Sequence, residues 1–100
     1  MRTLTFAVDG QKLTKHGDFA GIAAGSKGYL KCRFELQGSD WVKAKKIALF
    51  NGEYPAVVDG AGECLVPDDV TDGRSFKLYL AGQNGTMRMV TNQVLIEQVK

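Results

Sequence analysis

The side chains able to do chemistry in this sequence are few, and their spacing argues against most uses. Cys32 is a candidate nucleophile and His16, the only histidine, its candidate base. Such a pair needs hydrogen-bond contact. Cys32 sits in an apolar stripe, where an unactivated thiol is inert. Two cysteines also fall short of the Cys-x-x-Cys pairs of a structural zinc site. Asp68, Asp69 and Asp72 with Gly73 collect oxygen donors suited to Ca²⁺. The EF-hand spacing is missing and no glutamate closes the loop, so a solvated turn is the better reading. Gly21-Ile22-Ala23-Ala24-Gly25-Ser26-Lys27 has the wrong glycine spacing for a phosphate loop and leads into a strand rather than a helix. Lys27 to Phe34 partly overlaps the RNA-recognition signature. After Tyr29, however, the next stacking position on its face is Lys31, and Phe34 falls on the other side. Asn84-Gly85-Thr86 is formally a glycosylation sequon, but without a secretory signal it reads as hairpin chemistry. Trp41 is expected in the core or at a hinge rather than as a ligand platform.

The elements that must position these residues follow a period of two. Leu4, Phe6 and Val8 alternate before the turn signal Asp9-Gly10. Leu30, Cys32, Phe34 and Leu36 oppose Tyr29, Lys31, Arg33 and Glu35, the pattern of a strand with one dry face. Residues 15–28 hold four glycines and predict a loop or a short irregular edge strand. Residues 44–50 are apolar on both faces toward their end, as in a well-covered strand. Asn51-Gly52 and Asn84-Gly85 predict hairpins, so the sheets should be largely antiparallel. Pro55 suits an edge strand. Asp59-Gly60-Ala61-Gly62 is a turn before the short strand Glu63–Val66. Pro67 ends that strand, and residues 68–73 form a polar connection with room for one helical turn. Phe76, Leu78 and Leu80 alternate again, and a last strand covers Val94–Val99. Seven or eight short strands at roughly ten-residue spacing predict an all-β sandwich or small barrel.

One hundred residues make a single domain, 1–100, with a sizeable core. A formal charge of +2, from 13 basic and 11 acidic residues, argues against a polyanion partner on electrostatics alone. Lys43, Lys45 and Lys46, the densest basic cluster, read as a solvated edge or loop. No apolar run suits a signal peptide or a membrane span, which implies a cytoplasmic origin and reduced thiols at Cys32 and Cys64. Buried thiols are the first reading for both, with a pairing left open.

The chain resembles the small immunoglobulin-like domain of bacteriophage structural proteins, including amino-terminal domains of baseplate and tail-fibre proteins. The resemblance runs through Phe6-Ala7-Val8-Asp9-Gly10-Gln11, Tyr29 to Phe34, Trp41, Ile47-Ala48-Leu49-Phe50 and Tyr54. It continues through Cys64-Leu65-Val66-Pro67, Leu78-Tyr79-Leu80, Gly82, Thr91-Asn92, Val94 and Ile96. It implies an immunoglobulin-like antiparallel β-sandwich in the virion, with no enzymatic activity and no cofactor. Larger members continue past the last strand, whereas this sequence stops at Lys100, which favours a decoration, head-fibre or accessory protein. The expected partners are other virion structural proteins of capsid or tail, with a host-surface glycan as a further candidate and a small homo-oligomer allowed. A single-stranded nucleic-acid-binding β-barrel is the alternative. Tyr29, Tyr54 and Tyr79 are the candidate surface contacts, as aromatic anchors.

Overall fold

A computed structural model describes residues 1–99. Alternation of apolar and polar side chains gives nine strands among the described residues: β1 (Arg2–Asp9), β2 (Lys12–His16), β3 (Leu30–Gln37), β4 (Lys45–Phe50), β5 (Tyr54–Val58), β6 (Glu63–Leu65), β7 (Phe76–Asn84), β8 (Met87–Val90) and β9 (Val94–Ile96). They form two sheets. Sheet 1 has the order β2-β1-β3-β6; sheet 2 has the order β5-β4-β7-β8, with β9 also pairing β7. The two inner faces meet in one apolar core, where Leu4, Phe6, Phe50, Leu78, Leu80 and Ile96 are wholly buried. The protein is an all-β sandwich.

One pairing departs from the antiparallel expectation. β1 and β3 run parallel, in register from Arg2↔Leu30 to Asp9↔Gln37. The cause lies in the glycine-rich segment. β2 returns from the Asp9-Gly10 turn to the pole where the chain began, and residues 17–29 stay at that pole. The Arg2 guanidinium donates to the Ala20 carbonyl at 2.6 Å, Phe19 meets Phe6 edge-on at 5.3 Å, and Ile22 is buried. β3 therefore starts beside the start of β1 and must run the same way.

One further expectation is corrected, and the structure adds an element that the sequence reading did not specify. The segment after Gln37 contains a one-turn helix, α1 (Ser39–Lys43). Tertiary contacts hold it: Trp41 is buried, and its indole N–H donates to the Gly10 carbonyl at 2.7 Å. The last strand is shorter than Val94–Val99, because after Ile96 the chain leaves sheet 2. The Val99 N–H donates to Ile22 O at 2.8 Å, and its carbonyl accepts from Ala24 N at 3.0 Å. The polar connection after Pro67 does contain one helical turn, a 3-10 turn at Asp68–Val70.

Between β8 and β9 the chain turns toward the other sheet. The Asn92 side chain acts there as one residue of a strand, accepting from Leu13 N at 2.7 Å and donating to Leu13 O at 3.0 Å. The Asn92 N–H also donates to Gln11 O at 3.1 Å. This clasp closes the β2 edge. Asn92→Ala strips both side-chain bonds from Leu13, and the expected loss of stability is about 2 kcal/mol, at roughly 1 kcal/mol per bond. Asn92→Asp should lose more, because a carboxylate cannot donate to Leu13 O. Urea unfolding measures both; equal midpoints for all three proteins would contradict the clasp.

Candidate functional site

The chemistry-bearing residues do not assemble. His16 lies on the outer face of sheet 1, paired with Thr5, and its Nδ1 is 3.0 Å from Glu35 Oε1. Cys32 pairs with Leu4 on the inner face of the same sheet. The two therefore face opposite ways, and sheet 1 separates them. Cys32 instead stands directly across from Cys64 on β6, both buried and both free thiols. The hydrogen bond with Cys64, and then burial, raise the Cys32 thiol well above its ordinary pKa. A thiol held protonated is a poor nucleophile.

That shift has a sign that can be measured. A raised native pKa stabilises the fold fully below the unfolded value near 8.5, and the gain is lost as pH climbs toward the native pKa. Stability should fall above about pH 8.5, by up to about 1.4 kcal/mol per pH unit. Cys32→Val should flatten that slope. An identical slope in both proteins, from urea midpoints at pH 7.5 to 9.5 (roughly the window set by the unfolded thiol), would remove the assignment.

The remaining sequence candidates resolve into structural roles. Asp68 Oδ1 accepts from Gly28 N at 3.2 Å and Asp72 Oδ1 from Arg74 N at 3.0 Å, so these carboxylates cap turns. Among the described residues no group of three or more His, Cys, Asp or Glu is placed to hold a metal ion. Gly25 N donates to Thr71 O at 2.9 Å, so that loop amide is engaged within the fold. Gly85-Thr86 forms the two-residue β7–β8 hairpin loop, and Asn84, paired with Met87, is the last residue of β7.

The three tyrosines lie apart. Tyr29 is exposed just before β3, Tyr54 packs inward against the core, and Tyr79 is half-buried on the outside of sheet 2. Outward strand positions of sheet 1 carry no Phe, Tyr or Trp, so Tyr29 has no neighbouring ring there with which to build a stacking platform. The lysine cluster divides. Lys46 is not on a solvated edge: it points inward, only 7% exposed, and its Nζ donates to the carbonyls of Trp41 at 3.1 Å and Ala44 at 3.0 Å. A cation there closes the carboxyl end of α1, where Trp41 O also accepts from Ala44 N at 3.2 Å and the helix dipole favours positive charge. Lys43 and Lys45 stay exposed.

What sequence reasoning missed is the outer face of sheet 2. Residues 44–50 were expected to be covered on both sides, yet Ile47 and Leu49 face outward and are only partly buried. The register aligns them with Val57 and Pro55 on β5 and with Ala81 and Tyr79 on β7. Val57 is 77% exposed, Leu95 43% and Val90 36%. The second-face apolarity of Ile47 and Leu49 was the available signal; it denoted an open face rather than a covered strand. The outer face of sheet 1 is mostly polar by contrast, with Lys31 3.4 Å from Glu63 and the His16–Glu35 contact, although Leu65 beside Lys31 is 49% exposed. No family model, no curated protein and no solved structure matches this chain.

Proposed function

We propose that this protein is a non-enzymatic structural module of a bacteriophage particle that docks on capsid or tail proteins through the outer face of sheet 2. The observation that carries the reading is that open apolar face, on a sandwich whose interior is filled and whose thiol and imidazole lie on opposite sides of one sheet. Contiguous apolar patches are uncommon on monomers and mark surfaces that another molecule covers. The resemblance of its residues, in their order and spacing, to phage immunoglobulin-like domains supports the virion setting of this reading. Repeated copies on a lattice would let modest contacts act together.

Mass spectrometry of purified virions tests the location, and retention on particles lacking the protein tests the docking. Leu49→Asp and Val57→Asp, at partly or fully exposed sites, should leave the melting profile nearly unchanged and abolish retention. Absence from virions, or undiminished retention of both variants, would end this reading.

A further inference from the structure

Electrostatics divide the molecule as clearly as hydropathy does. None of the outward strand positions of sheet 2 is a carboxylate; Glu35 and Glu63 stand on the outside of sheet 1, and Asp59, Asp68 and Asp72 occupy turns. At one end of the sheet 2 face, Lys45, Gln83 and Arg88 form a row across β4, β7 and β8, and with Lys43 they line a depression. Its volume is about 570 Å³ and its floor includes Ile47 and Ala81. Among the described residues, none of these three cations has an ion-pair partner.

We propose that this depression binds the carboxylates of an acidic protein segment, whose aliphatic side chains seat on Ile47 and Ala81. The inference rests on the docking reading and specifies the partner's chemistry. Unpaired cations over an apolar floor complement a surface that is both anionic and apolar, and such complementarity speeds and orients association. Among the described residues no aromatic side chain lines the depression, so it offers neither bases nor sugar rings a stacking surface. A second copy of the chain is a poor occupant. Lys77 stands at the opposite end of the same face, so two facing copies with aligned strands would bring cation against cation whether or not one was turned end for end.

The test uses the full chain and a labelled peptide of alternating glutamate and leucine, with the glutamine analogue as control. Binding should shift backbone amide resonances of residues 45–47 and 81–88. It should weaken at least about tenfold in Lys45→Glu/Arg88→Glu, and likewise as salt rises from about 50 to about 500 mM. Both sites are exposed, and an unchanged melting profile would verify that the variant is folded. Equal binding of the glutamine analogue, or no effect of charge reversal, overturns the proposal. Tighter binding of oligothymidylate to the same residues at matched salt also overturns it, in favour of nucleic acid. Particle retention separates the two readings. If charge reversal leaves retention intact while Leu49→Asp destroys it, the acidic partner is wrong and the docking face stands. If both variants are retained, docking itself is wrong.

Discussion

Truncating Trp41 to alanine is expected to lower the unfolding free energy by about 3–5 kcal/mol, the range for deleting a buried large aromatic. The indole is 1% exposed and donates to the Gly10 carbonyl at 2.7 Å. It also lies on Gly82, where an added Cβ would come within 2.7 Å of a ring carbon. One side chain thus joins α1, the β1–β2 turn and β7. Trp41→Phe, which keeps most of the volume but leaves Gly10 O without its donor, should cost about 1–2 kcal/mol. Gly82→Ala should cost about 1–3 kcal/mol because the ring must move. In the Trp41→Ala background that cost should vanish, a coupling read directly from a double-mutant cycle. Additive effects in denaturant unfolding would show that the indole does not rest on Gly82.

Gly62→Ala is the second large loss expected, about 2–4 kcal/mol, and two separate causes add. The residue has φ of 80°, a conformation costing an L-residue roughly 1–2 kcal/mol. A Cβ would also lie 2.7 Å from the Phe34 carbonyl oxygen. Backbone cannot swing aside as a flexible side chain does, so relief would require pulling β6 from β3 at the bond from Phe34 N to Gly62 O, 2.8 Å long. Neighbouring turns supply the controls. Gly52 shares the left-handed geometry, with φ of 67°, but has open space, so Gly52→Ala should lose only about 1 kcal/mol. Gly60 has open space and no such φ, and Gly60→Ala should be nearly neutral. Similar losses at all three positions, by thermal or urea unfolding, would show that the close contact at Gly62 is unimportant.

Strands were legible where side chains alternate. Leu4, Phe6 and Val8, and then Leu30, Cys32 and Phe34, face the core as their two-residue rhythm required. Turns were legible where chemistry is local: Asn51, with φ of 58°, and Gly52 make the hairpin that their types dictate. Features that depend on distant partners were not legible. Nothing near Asn92 indicates that its amide will clasp Leu13, because the two meet only after both sheets have formed. The parallel course of β3 beside β1 follows from where a thirteen-residue loop is anchored, which hairpin signals do not encode. Lys46 is indistinguishable in sequence from Lys45, yet the carbonyls exposed at the end of α1 draw it inside. The open face was visible as apolarity at Ile47 and Leu49, but periodicity alone does not say whether a second face is covered.

The hairpins and crossovers bring Arg2 and Val99 out at the same pole, beside residues 20–30. Tension applied between those two points would open β1 from its first residue and, once the bonds of Val99 to Ile22 and Ala24 part, β9 from its last. The backbone ladders would then yield one rung at a time instead of sharing the load in shear. Such a module tears at low force, as a zip does when pulled from its open end. A handle placed at either point leaves the far pole, with Lys45 and Arg88, facing free solution.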